Sequence, residues 1–291
     1  MVVVRVWGGL GNQMFQYALG YAMAKRNNTE LVLDMSFFYQ KHNSWTTERT
    51  PDLLELPIDK CKLVNRNNEI SPLLHILQNP YVNYAIRRIL PIAFPIGKYT
   101  YVKESKLEFL PSVIKMKGKN VYFDGYWHCD QYFDSYRGDL QKQFVAKEPL
   151  ILNYYNEHKQ GKVNTVAVHI RRGDYVSQNN PNVRGIEYYL KAMDYIKEKI
   201  DNPLFYIFSD DLDWVVKQFG KREDIVLVNK EKTLTDIQEF QMISLCDHQI
   251  ISNSSYSWWG AWLNDNPKKI VICPAKWEGK KDMMLDEWVK I

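Results

Sequence analysis

Two kinds of patterning divide this chain of 291 residues. Val2 to Val6 is a short run, apolar apart from Arg5 and rich in β-branched residues, which predicts a buried strand. Gly8, Gly9, Leu10 and Gly11 break it. Asn12 is a candidate cap, and Gln13 to Arg26 predicts a helix with Met14, Phe15, Ala18, Leu19 and Ala22 on one side. Leu31 to Leu33, closed by Asp34, predicts the next strand and completes a β-α-β unit. From about residue 36 to 160 the period weakens. Proline-punctuated segments, a basic apolar stretch at Asn83 to Leu90, and a strand at Val121 to Phe123 running into 124-DGYWHCDQYF-133 are what stands out.

Beyond this middle region the pattern is regular. A strand from Val163 to Ile170 is followed by a helix at 186–200, where Tyr189, Ala192, Met193, Ile196 and Ile200 share a face. Strands at 204–208, 225–228, 249–251 and 270–272 then alternate with helices at 212–219, 235–246 and around 256–264. Such alternation implies a parallel sheet covered on both faces. The expectation is an α/β protein of two domains, residues 1–155 and 156–291, a division the length also favours.

Composition is that of a globular protein, 45% hydrophobic and 25% charged, which excludes wholesale disorder. A net charge of +4 is too small to imply nucleic-acid binding. Nineteen tyrosines and nine tryptophans are many for this length, and their flat faces and polar edges suit sugars and bases as well as cores. Cys61, Cys129, Cys246 and Cys273 are scattered, with no CxxC pair and no zinc-ligand spacing, as in a reduced cytoplasmic protein. With no basic-then-apolar leader and no long apolar run, the chain reads as soluble, with peripheral contact to a membrane surface still open.

In open parallel sheets, ligands bind beyond the carboxyl ends of the strands. Four polar clusters fall at such ends: 8-GGLGNQ-13, 171-RRGDY-175, 209-SDD-211 and 252-SNSSYSWW-259. Arg171 and Arg172 are adjacent like charges where a buried strand stops, so they need water or an anion. Arginine's planar fork matches phosphate, Gly173 permits close approach, and Ser252, Ser254 and Ser255 stand before a helix whose amides also favour an anion. A diphosphate clamp is one reading; a salt bridge from Arg171 to Asp174 or to a domain partner is the other. Arg172-Gly173-Asp174 also spells a cell-adhesion tripeptide, too short to carry weight in a chain without a secretion signal. The glycines from Gly9 resemble a dinucleotide fingerprint, but its last glycine is replaced by Met14, which leaves a nicotinamide oxidoreductase as a runner-up. Asp210 and Asp211 without further ligands are a weak metal signal, and His169, alternating with apolar neighbours, reads first as a core histidine.

Together the clusters resemble one family. His169-Ile170-Arg171-Arg172-Gly173-Asp174-Tyr175 resembles the H-x-R-R-G-D-Y signature of the α-1,2-fucosyltransferases. 9-GLGNQMFQY-17, 125-GYWHCDQYF-133, 208-FSDD-211 and 251-ISNSSYSWWGAWL-263 resemble its other motifs, in order and over nearly the whole chain. The resemblance implies a GT-B architecture, two Rossmann-like domains facing a cleft, the second holding the nucleotide. It implies inverting transfer of L-fucose from GDP-β-L-fucose to O2 of a terminal β-galactose, on an oligosaccharide or lipid-linked glycan, with no metal and no other cofactor.

Roles follow from it. Arg171 is expected on the diphosphate, with Arg172 on the loop or the acceptor side. Ser254, Ser255 and Tyr256 are expected at the β-phosphate, and Gly9, Gly11 and Asn12 near the fucose and phosphates. Asp210 is expected to bind ribose or support its loop. The family's guanine-binding aspartate is here Glu239, with Asp236 one helical turn earlier as the alternative. For the proton of the acceptor hydroxyl the candidates are Asp174, His169, Asp124 and Asp130, or the leaving phosphate itself. A lectin-like glycan-binding module is the remaining non-enzymatic reading.

Overall fold

The computed structural model describes residues 1–40, 49–66, 69–78, 82, 91–104, 108–118, 120–145, 148–159 and 164–291. Asn83 to Leu90 and Val163, both read from sequence, lie outside these. The chain divides into two compact units, Met1–Gln143 and Phe144–Ile291.

The first unit carries β1 (Val2–Arg5), α1 (Leu10–Arg26), β2 (Leu31–Asp34), β3 (Lys62–Val64), α2 (Pro72–Gln78), β4 (Ala93–Ile96), β5 (Tyr99–Lys103), α3 (Pro111–Ile114), β6 (Val121–Asp124) and α4 (Arg137–Phe144). Its strands run in the order β3-β2-β1-β6-β5-β4, parallel except for the antiparallel β4/β5 pair. Val2 to Val4 are fully buried at the sheet's centre. The sequence reading put one face of α1 inward; instead Leu10 to Ala24 are buried all round except Asn12. Nor does Asn12 cap: the helix starts earlier, at Leu10, from Gly9. The carbonyl of Gly9 already accepts the amides of Asn12 (2.9 Å) and Gln13 (3.1 Å), so the glycine loop runs directly into the first turn.

The second unit carries α5 (Pro149–Lys159), β7 (Thr165–Ile170), α6 (Gly173–Ser177), α7 (Ile186–Lys199), β8 (Leu204–Ser209), α8 (Leu212–Phe219), β9 (Ile225–Leu227), α9 (Asp236–Leu245), β10 (His248–Ile250), α10 (Ser255–Leu263), β11 (Val271–Cys273) and β12 (Val289–Lys290). The strands are all parallel, in the order β12-β11-β10-β7-β8-β9. Along β7, Val166, Val168 and Ile170 enter one core cluster with Tyr189, Met193 and Ile196 of α7. Ala167 enters the opposite one with Met242 and Ile243 of α9. Period-two alternation between two buried faces is why β7 reads as an unbroken apolar run.

The expected regular elements after residue 163 are present to within a residue or two at their ends. The unit begins at Phe144 rather than near 156. The reason is α5: Ile151 and Tyr155 are buried against Tyr206 and Cys246, so this helix belongs to the second core. In each sheet the strand order reverses at one place, between β1 and β6 and between β7 and β10. Crevices at such reversals are where open α/β sheets bind ligands.

Candidate functional site

At the β7/β10 reversal the two loops are tied by buried groups. His169, near the end of β7, pairs its Nδ1 with Ser252 Oγ at 2.8 Å, just beyond β10. Burial, and to a smaller extent Arg171, pushes the imidazole pKa down to about 3, so it stays neutral. Its other neighbour is the Tyr256 ring, 5.4 Å away between centroids. His169 is thus a neutral linker of two loops, a poor acceptor for an acceptor-hydroxyl proton.

The two arginines are held differently. Arg171 sits between two carboxylates, with Nη2 donating to Asp174 Oδ1 at 2.6 Å and Nη1 to Asp210 Oδ2 at 2.9 Å. Both sequence readings of Arg171 meet here: it stands at the strand end where an anion would be held, and it is already paired, to Asp174 as well as to Asp210. Arg172 faces the other way, over the Trp214 ring (4.1 Å to its centroid) with Nε on Asp211 Oδ2 at 3.0 Å. Its backbone amide donates to Asp210 Oδ1 at 2.8 Å. Asp210 therefore supports the arginine loop with both oxygens. Gly173 is required there, because a Cβ would lie 2.6 Å from Asp210 Oδ2. Asp211 caps α8 through Trp214 N and holds Arg172, so both aspartates of the weak metal signal have arginine partners.

Across the reversal, α10 opens at Ser255 with Ser254 as its cap residue, which makes no side-chain capping bond. Ser254, Ser255 and Tyr256 thus occupy a helix N-terminus, as read from sequence. The Tyr256 hydroxyl donates to the Asp236 carbonyl, joining α10 to α9. On α9, Asp236 is exposed in the first turn, while Glu239 is half buried and accepts from Asn229 Nδ2 at 2.5 Å. Burial pushes the Glu239 pKa up to about 7, with a further upward contribution from Asp236 and an opposing one from the Asn229 bond. A half-buried carboxyl whose second oxygen has no hydrogen bond among the described residues fits a pair of ligand N–H groups better than the exposed Asp236.

At the β1/β6 reversal the lining is aromatic. Trp7, after β1, lies 4.1 Å from Tyr126, whose other neighbour is the His128 ring, stacked at 4.9 Å and 6°. His128 Nε2 meets Asn12 Oδ1 at 2.9 Å, joining the loop after β6 to the first turn of α1. Gly9 and Gly11 flank this turn, Gly11 buried in it. The motif glutamines are staples: Gln16 accepts from Trp7 N at 2.9 Å, and Gln13 donates to Gly8 O at 2.8 Å while accepting from Leu53 N at 3.0 Å. Glu104, which the sequence reading missed, is 4% exposed and accepts the amides of Tyr126 (2.7 Å) and Trp127 (2.8 Å). Asp124, a candidate base, pairs with Arg5 at 3.3 Å and accepts from the Tyr101 hydroxyl, so it is occupied. Asp130 starts a short 3-10 turn at the loop's far end.

Two relatives and one solved structure frame this geometry. The sequence profile of glycosyl transferase family 11 matches residues 1–291. The chain belongs to glycosyl transferase family 11. Among the relatives it resembles, the Escherichia coli O-antigen biosynthesis glycosyltransferase WbnK is 32% identical over 98% of both chains. An Escherichia coli α-1,2-colitosyltransferase is 30% identical over 100% of this chain and 99% of its own. The α-1,6-fucosyltransferase NodZ, known from Bradyrhizobium, superposes in a crystal soaked with GDP-fucose at TM-score 0.55, covering 93% of this chain and 94% of that one at 14% identity. This likeness establishes the expected GT-B fold class for the family 11 chain. Among its described residues, no helix is long and apolar enough to cross a membrane.

Proposed function

We propose that this glycosyltransferase moves L-fucose from GDP-β-L-fucose to O2 of a terminal β-galactose, with inversion and without a metal ion. The observation that carries the reading is Arg171: a cation at the β7/β10 reversal with two carboxylate partners, whose charge reaches Tyr256 in the first turn of α10, in a family 11 chain. In the proposal Glu239 accepts from the guanine ring and the Arg171 fork holds the diphosphate. The galactose O2 attacks C1 of fucose as the C1–O bond to the β-phosphate breaks, and the electron pair leaves with GDP. Arg171 stabilises the charge that develops there, the kind of contribution that is largest in such transfers. The O2 proton passes to the departing phosphate in this proposal, since His169 is neutral and hydrogen-bonded and Asp124 is ion-paired to Arg5; Asp174, which loses its Arg171 partner when that side chain turns to the diphosphate, and Asp130 are the alternative acceptors. The aromatic rings of Trp7, Tyr126 and His128 at the β1/β6 reversal suit the face of an acceptor sugar.

The linkage in the name of the colitosyl relative supports position 2, and the same name motivates colitose, a deoxy form of fucose, as a second donor. The test is incubation with GDP-fucose or GDP-colitose and lactose or a Galβ1-3 disaccharide, with and without EDTA. The expected product is an α-1,2-fucosyl galactoside formed equally in EDTA. Transfer from GDP-colitose alone replaces the donor; loss in EDTA removes the metal-free part; no transfer from either donor to any galactoside overturns the reading. A nucleotide-free glycan-binding module or a nicotinamide enzyme predicts no stabilisation by GDP in the same assay series.

A further inference from the structure

The charges around Arg171 do not by themselves favour a diphosphate. Arg171 and Arg172 are matched by Asp174, Asp210 and Asp211, all within ion-pair distance. Two arginines against three aspartates leave the cluster formally negative by one. An anion carrying two or more charges is repelled by such a cluster unless another cation faces it.

Arg184 is placed to supply that cation. It lies in the loop between α6 and α7. Among the described residues its guanidinium meets no carboxylate; its one hydrogen bond is from Nη2 to the carbonyl of Pro181 at 3.1 Å. Its Nε is buried with no hydrogen-bond partner. A guanidinium carries five N–H donors, and a buried donor left unpaired is costly, which marks a position waiting for an acceptor. The loop is anchored beyond the carboxyl end of β10: Asn182 Oδ1 accepts from Asn253 Nδ2 at 3.0 Å and from Glu278 N at 3.0 Å, and Asn253 stands between Ser252 and Ser254. The Tyr175 hydroxyl donates to the Asn253 carbonyl at 3.2 Å, tying α6 to the same loop. Charges on Arg184, Arg172 and Asp210 all act on the buried Tyr189 hydroxyl, so Arg184 shares an electrostatic neighbour with Arg172 and with Asp210, the carboxylate that also pairs with Arg171.

We propose that Arg184 is a donor-binding residue, the cation that turns the Arg171 cluster from net negative to neutral and contacts the diphosphate of the nucleotide sugar. This rests on the GDP-sugar reading above. Arg171, released from its aspartates, then holds one side of the diphosphate and Arg184 the other. The experiment is titration of wild type, Arg184→Gln and Arg184→Lys with GDP and with guanosine. Glutamine keeps a donor for the Pro181 carbonyl, and thermal unfolding without nucleotide reports whether the loop is intact. The expected result is that Arg184→Gln binds GDP roughly ten- to a hundredfold more weakly, binds guanosine as wild type does, and is partly rescued by Arg184→Lys. GDP affinity unchanged in a folded Arg184→Gln overturns the role of Arg184 and leaves the GDP-sugar reading standing. Equal weakening for GDP and guanosine also overturns it, since the residue then acts on the fold of the site. Wild type that binds neither compound removes the reading on which the inference stands.

Discussion

The two sheet reversals use the same device for different ends. At β1/β6 a carboxylate from the neighbouring strand end, Glu104, reaches under the loop after β6 and accepts two backbone amides. At β7/β10 a carboxylate from the neighbouring strand end, Asp210, reaches under the loop after β7 and accepts one, from Arg172. Each requires a glycine above it: a Cβ at Gly125 would lie 2.4 Å from Glu104 Cβ, as one at Gly173 would lie 2.6 Å from Asp210 Oδ2. The difference is what the second oxygen does. Glu104 spends both on backbone and fixes an aromatic surface of Trp7, Tyr126 and His128. Asp210 gives one to Arg171 and so holds a cation in readiness. One reversal spends its carboxylate on backbone amides, the other shares it with a cation.

Breaking that contrast should cost most at Arg171. Arg171→Ala is expected to lower kcat roughly a hundred- to a thousandfold with little change in thermal unfolding; turnover within tenfold of wild type would end the clamp reading. Glu104→Ala leaves two buried amides unpaired and is expected to cost about 2–4 kcal/mol of stability. Because the loop it supports carries Tyr126 and His128, acceptor KM should rise while GDP affinity holds; a fall in GDP affinity instead would erase the distinction between the two reversals. Arg172→Gln removes one half-buried ion pair and the contact with Trp214, about 1 kcal/mol by denaturant titration, with a smaller effect on kcat than Arg171→Ala.

The smallest effect concerns pH. Glu239 carries a pKa raised from 4.5 to about 7, so its protonated form is favoured by folding. Its contribution to stability is complete below 4.5 and is lost as pH rises through 7. Guanine N–H groups require the ionised form, so GDP affinity should rise between pH 6 and 8 and release a proton, read by calorimetry in buffers of different ionisation heat. Glu239→Gln should flatten this profile while weakening GDP about three- to tenfold. A profile unchanged in the variant moves the guanine contact elsewhere.

Much of the second unit was legible in the sequence because its strands are buried on both faces and its helices on one. Val166 to Ile170 and Tyr189 to Ile196 give unambiguous periods. The first unit hid more. The helix α1 is buried nearly all round, so no polar face marks its orientation, and nothing in its period shows that Gln13 and Gln16 are fully buried staples. Motif spacing located Arg171, Asp210 and Ser254 at strand and helix ends. It could not show that Arg171 is bracketed by Asp174 and Asp210, since Asp210 comes from another strand. Glu104 was missed for the same reason: its partners are backbone amides more than twenty positions away.

The bracketing of Arg171 also bears on the end of the reaction cycle. A guanidinium stripped of partners would cling to the departing nucleotide and slow turnover. If Arg171 holds the diphosphate as proposed, Asp174 and Asp210 stand within ion-pair distance to replace each phosphate contact that breaks. The aspartates then behave as tethered competitors, present at an effective concentration no free anion reaches. In that case they weaken donor capture a little and quicken product escape, and two carboxylates set the balance between the two.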